Sequence, residues 1–219
     1  MSYSDLVKSA IADISAGRKY SDLRLDLRCN LGVIGAFFAH DKSRQFGLIP
    51  EPVRLSVQKN RELMTLWVDN GGSIFRARRF FDDDLEFMTK AVTRSIDNLS
   101  SASWRLREDR DFVLMASSIR TPTLEEFKSP LTFVDRKFSD DREIVLGFCQ
   151  TFVTTLRHAP LFQDDFDVVN SAVSVLCGEA LEYASARLQD NEDIVATAVA
   201  SHAEALKFAS ERVKALYCC

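Results

Sequence analysis

Histidine is nearly missing from this chain: only His40, His158 and His202 occur, and none stands at a metal-ligand spacing from another. Also missing are a phosphate-binding glycine loop, a nucleophile elbow and a calcium loop. Gly71-Gly72 follows Asp69-Asn70 and reads as a turn between helices rather than a phosphate cradle. His158 and His202 are therefore expected to be structural or solvated, and neither an enzyme activity nor a cofactor is expected. Basic excess is lacking as well. The formal net charge is −4 and the pI about 5.5, which argues against a general nucleic-acid binder with its strongly basic footprint. No apolar run reaches membrane-spanning length, and the N-terminal segment lacks the layout of a signal peptide. Cys29, Cys149, Cys177, Cys218 and Cys219 are odd in number and scattered. Reduced thiols in a cytoplasm, the cell's own or a host's, fit them better than a disulfide framework. The terminal pair Cys218-Cys219 reads as an exposed, oxidation-prone tail; a membrane partner would enter only if that pair were lipidated.

What the chain does have is self-similarity. An acidic residue followed by two large apolar ones recurs as Glu62-Leu63-Met64, Glu86-Phe87-Met88, Asp111-Phe112-Val113, Glu143-Ile144-Val145, Asp167-Val168-Val169 and Asp193-Ile194-Val195. A repeat of this kind is the signature of a stacked array. The last copies show two apolar-periodic halves separated by a short turn, so each unit is expected to be a hairpin of two short helices held by its neighbours. Acidic pairs three apart precede the first helix: Asp83/Glu86, Glu108/Asp111, Asp140/Glu143, Asp164/Asp167 and Asp190/Asp193. The first of each pair is expected to cap the helix and the second to favour its dipole.

The expected fold is an all-α helical-hairpin repeat array, an α-solenoid of about seven units of roughly 25 residues plus an N-terminal capping helix. Its parts would be a cap over 1–20, a degenerate first unit over 26–54, divergent units over 55–163 with an insertion near 120–130, and the best-formed units over 164–214. The stretch Asp41 to Pro52 reads as loop, because Gly47, Pro50 and Pro52 discourage helix.

The two C-terminal units carry Val168 to Val173 with Leu181 to Leu188, and Ile194 to Val199 with Leu206 to Val213. In these stretches the chain resembles a repeat family catalogued as domain of unknown function four-one-one-six, whose units look like Val-Val-x-x-Ala-Val followed by Ala-Leu-x-x-Ala-Ser-x-x-Leu. A weaker match reaches Leu99 to Leu106. The resemblance implies a helical-repeat fold and brings no catalytic residues.

Two residue columns run through the repeats. Trp67, Ala91, Ala116, Phe148, Ala172 and Ala198 form a mostly small column along the first helices, broken by two rings. Trp67 either fills irregular packing or marks an aromatic anchor at an interface. Arg79, Arg105, Lys137, Phe162, Arg187 and Arg212 form a second column, thickened by Arg76, Arg78, Arg107, Arg136 and Lys214. Cations suit helix C-termini on dipole grounds alone. A row of them also makes a recognition edge for an acidic surface, because arginine forms forked contacts to carboxylates and phosphates. The candidate partner-binding residues are Trp67, Arg76, Arg78, Arg79, Trp104, Arg105, Arg107 and Lys137. The expected function is a non-enzymatic protein-interaction scaffold. A host-directed effector or inhibitor of one target is the first alternative, and a single-stranded nucleic-acid binder the second.

Overall fold

The computed structural model describes residues 2–40, 45–76, 78–120, 129–175 and 178–217. Among them every regular element is helical and no strand occurs. No helix among them is long and apolar enough to cross a membrane. The chain divides into two compact units, Met1–Ser101 and Ala102–Cys219.

In the first unit the helices Tyr3–Ser15, Leu31–His40, Arg61–Asp69 and Leu85–Arg94 pack each on the next in chain order. Tyr3–Ser15 opens with a capping box between Ser2 and Asp5 and buries Ala10 and Ile14. It stops at Gly17, whose φ of 98° suits a residue without a Cβ. The repeat signature explains the packing of the later helices. Two apolar residues followed three later by two more give a stripe on one helix face. Leu63, Met64, Trp67 and Val68 are buried in this way, as are Phe87, Met88, Ala91 and Val92. The loop expected up to Pro52 ends earlier. A helix runs over Glu51–Lys59 with Pro50 as N-cap and Pro52 in its first turn, where a missing N–H leaves no bond unmade.

In the second unit the helices Arg110–Ser117, Arg142–Cys149, Phe166–Val175 and Glu192–Ser201 likewise pack in series. The second halves of the repeats depart from expectation. In the last three repeats each is a six-residue 3-10 helix, Val153–His158, Gly178–Tyr183 and Ala203–Phe208, and after Arg110–Ser117 come the shorter Pro130–Thr132 and Arg136–Asp140. In the last two repeats a short α-helix follows, Ala186–Gln189 and Glu211–Leu216. Those short helices, and Trp104–Arg107 before them, begin on a serine. Ser103, Ser185 and Ser210 accept from the amides of Leu106, Leu188 and Val213, and these same residues are buried. The Ala-Ser-x-x-Leu pattern is thus a cap followed by a core anchor. Gly178 marks where two layers come closest: a Cβ there would lie 2.3 Å from Ala205 Cβ and 2.4 Å from the Ala198 carbonyl oxygen.

The caps of the long helices sit one residue later than expected. Asp84 accepts from the Phe87 amide at 2.9 Å, Asp109 from Phe112 at 2.9 Å and Asp165 from Val168 at 3.1 Å. Asp141 and Asn191 do the same for Ile144 and Ile194, and Asn60 for Leu63. An N-cap oxygen bonds the amide three residues on, which places the cap two residues before the acidic member of the signature, not three. Asp164 and Asp190, freed from capping, have another role.

Candidate functional site

Several arginines of the repeats are engaged with carboxylates of the neighbouring repeat. Arg61 starts one long helix and reaches the start of the next, donating to Asp84 at 3.2 Å and to Glu86 at 2.9 Å. Arg110 reaches Asp141 and Glu143 at 2.7 and 2.8 Å, and Arg142 reaches Asp165 and Asp167, both at 2.9 Å. The Phe87 amide and then Arg61 hold the Asp84 carboxyl below its usual range. For Asp141 and Asp165 the arginine is the chief cause of the same shift.

A second clamp uses the short helices. Asp164 accepts from the Ser185 hydroxyl and from Arg187 Nε at 2.9 Å, while Arg187 Nη2 bonds the Asp164 carbonyl at 2.8 Å. Asp190 is held identically by Ser210 and Arg212, with Nε at 3.0 Å, and Arg212 also meets Glu192 at 2.6 Å. The serine hydroxyl first, then the arginine, depresses each aspartate. The basic column read from the sequence therefore needs correcting. Arg187 and Arg212 join repeats to one another. Phe162 is out of register, since the residue preceding the helix anchor there is Leu161.

The proposed anchors separate in the same way. Trp67 is only 6% exposed. Its ring lies against Phe38 and Phe46, with centroids at 5.0 and 5.3 Å, and its Nε1 donates to the Ser73 carbonyl at 2.9 Å. The indole is core, so an interface anchor at that position is ruled out by burial. Trp104, at the start of its short helix in the second unit, is 68% exposed. Arg105 follows it in that helix. Arg107 is a strut: Nη1 donates to the Phe133 carbonyl at 3.1 Å, and its buried Nε has no partner among the described residues. Lys137 lies over the Phe138 ring at 5.0 Å.

A cluster of three cations in the first unit has no carboxylate partners among the described residues. Arg78 lies over the Phe75 ring at 5.0 Å and Arg79 over Phe80 at 4.6 Å. Lys59 approaches the Phe80 ring too, at 5.6 Å, and Phe75 is 62% exposed. The Arg76 side chain, the segment 121–128 of the expected insertion, and Cys177, Cys218 and Cys219 lie outside the described residues. Sequence reasoning named Arg78 and Arg79 but not Lys59, which arrives from a helix some twenty residues away and gives no local signal. The arginine that opens three of the long helices was visible directly before the acidic residue and went unread.

Residues 165–214 match the family described as Domain of unknown function (DUF4116). The match covers two long helices with the 3-10 and short helices that follow them, and the residues of the Ser–Arg clamp apart from Asp164. No curated protein and no solved structure matches the chain.

The remaining chemistry is isolated. Among the described residues no cluster of three metal-ligating side chains occurs. His40 is exposed, and His202 Nε2 stands 3.9 Å from Glu204. Burial, helped by Arg157, lowers the pKa of the half-buried His158. The buried Cys149 thiol is pushed up to about 12, which leaves it a core side chain instead of a nucleophile.

Proposed function

We propose that the chain is a non-enzymatic helical-repeat scaffold, an α-solenoid acting in a cytoplasm, that holds a protein partner of acidic surface. The observation that carries this reading is the cluster of Lys59, Arg78 and Arg79 on Phe75 and Phe80, three cations gathered on two rings without acidic partners among the described residues. A guanidinium stacked face-on keeps its N–H edge open, and the ring fixes its plane, so less side-chain freedom is lost on binding a carboxylate. Trp104 is a separate exposed contact on the second unit.

The test is fluorescence anisotropy with a labelled Asp/Glu-rich peptide, compared with a Lys-rich peptide and single-stranded DNA. The acidic peptide binds the intact chain, and Arg78→Glu with Arg79→Glu weakens it about tenfold or more, a loss of ~1.4 kcal/mol or greater. Unchanged affinity in the double variant would falsify the assignment, and preference for the DNA would transfer it to the nucleic-acid reading.

A further inference from the structure

A second feature, in the other unit, is a groove along the outer faces of Arg110–Ser117 and Arg142–Cys149. The two helices lie side by side with both ends tied. Arg110 joins the starts through Asp141 and Glu143, and Arg120 joins the ends by donating to Gln150 and to the Ser117 carbonyl. Between the ties lies an open cavity of about 550 Å³, within the roughly 300–1,000 Å³ typical of binding clefts. Its floor is tight, because a Cβ on Gly147 would lie 2.4 Å from Ser117 Oγ.

The two helices match across the groove in register. Asp111 faces the same opening as Glu143, and Leu114 and Met115 the same as Leu146 and Gly147. Each set is spaced three and four apart, the spacing of one helix face. The corresponding residues of the next two long helices are Asn170 and Ser171, then Ala196 and Thr197. The repeat therefore needs no large apolar residue at this face. The half-buried Leu114, Met115 and Leu146 depart from it at two adjacent repeats only within this unit. One end of the groove is acidic: Glu143 is held by Arg110, but Asp111 has no cation partner among the described residues. The other end carries Arg120.

The geometry points to this groove as the docking site of an amphipathic helical segment of a partner protein. That segment carries leucine-like residues three and four apart and a lysine or arginine in the turn that lies over Asp111. Two parallel ridges with an apolar furrow accept a third helix by ridge-into-groove packing. The unpaired Asp111 and the opposite charge of Arg120 set its direction. This site is independent of the basic patch on the first unit.

The probe is a short labelled helical peptide with leucines at that spacing and lysines in one terminal turn, titrated into the full chain by anisotropy. Two controls keep its composition or shape: one scrambles the leucine spacing, the other replaces the lysines by glutamates. Binding of the probe is expected to fall about tenfold or more in either control and in Leu146→Gln, as for loss of a central contact. Asp111→Lys weakens the lysine peptide and strengthens the glutamate peptide, a readout that holds even if Leu146→Gln fails to fold. Ser171→Gln, on the polar counterpart face, leaves binding unchanged. Equal binding of the scrambled peptide, or no binding of the probe, overturns the proposal. So does binding that arises only after 121–128 is replaced by a glycine–serine linker, which gives the groove to the chain's own segment. A dimer seen by light scattering and lost in Leu146→Gln would give it to a second copy, with the same consequence.

Discussion

From Arg110 to Asp167 the arginine that joins neighbouring repeats opens a long helix and reaches forward to the next one; from Asp164 to Arg212 it sits in a short helix and reaches back. The two arrangements hardly overlap. Where Arg142 would recur, the later helix has Phe166, and the N-cap that follows is the neutral Asn191 in place of an aspartate. The first unit repeats the correlation: Leu31 is followed one repeat later by Asn60, and Arg61 by Asp84. Asp109, one repeat after Leu85, is the exception. A charged cap thus mostly accompanies an arginine able to neutralise it, and an amide cap serves where none is present. Where an arginine–carboxylate tie joins neighbouring repeats, it is made by whichever route the local residues allow. Such exposed pairs add little to stability.

Changes in the core should separate the two regions most. Phe148 fills with a ring the place that Ala172 and Ala198 fill with a methyl, and it is fully buried. Phe148→Ala is expected to cost ~3–5 kcal/mol in urea denaturation, the usual range for emptying a buried aromatic site. Next comes a paired glycine test. Gly178→Ala drives a methyl to 2.4 Å from the Ala198 carbonyl oxygen, whereas Gly147→Ala meets the Ser117 side chain and stays 3.1 Å from the Ser117 backbone. The first should cost about 1–3 kcal/mol as an overpacked site and the second visibly less; equal losses would show that the two junctions are equally close.

Acid should weaken both regions. Asp84, Asp141, Asp165, Asp164 and Asp190 all have folded pKa values below the usual carboxylate value. A depressed folded pKa means that the unfolded chain binds the proton first. The ties therefore contribute fully above the unfolded value of about 3.9, and the contribution fades as pH falls from there through the folded values. Melting temperature followed between pH 7 and pH 3 should stay level from this source and then drop at the acid end, and Asp165→Asn should shrink that drop. Smaller still are the arginines themselves. Arg142→Ala and Arg187→Ala should each lower the urea midpoint only slightly, and less at high salt, since both pairs are largely exposed. The least effect is expected from restoring the missing tie. Phe166→Arg with Asn191→Asp should gain a few tenths, about 0.5 kcal/mol, in a double-mutant cycle, with neither single change gaining alone.

The long helices were legible because their apolar pairs recur at fixed spacing beside an acidic residue, and in every described copy the pair after that residue is buried. Their caps were misread by one residue, since the runs Asp82-Asp83-Asp84 and Asp164-Asp165 offer several acids where only one has the geometry. The second halves were read as α-helix because periodicity over six residues, as in Gly178–Tyr183, does not separate a three-residue turn from one of 3.6. For the candidate site, the cations were readable and their partners were not. The ring beside Arg79 is the next residue, Phe80, whereas only the fold puts Asp164 beside Arg187 and Lys59 beside Phe80.

The two tryptophans give the molecule a built-in optical contrast. Trp67, enclosed by two phenylalanine rings and bonded to a carbonyl, emits from a dry site in the first unit, while Trp104 faces water in the second. An aqueous quencher such as iodide therefore silences one and spares the other. A single emission spectrum then reports, without any attached dye, on the packing of one unit and on what covers the surface of the other.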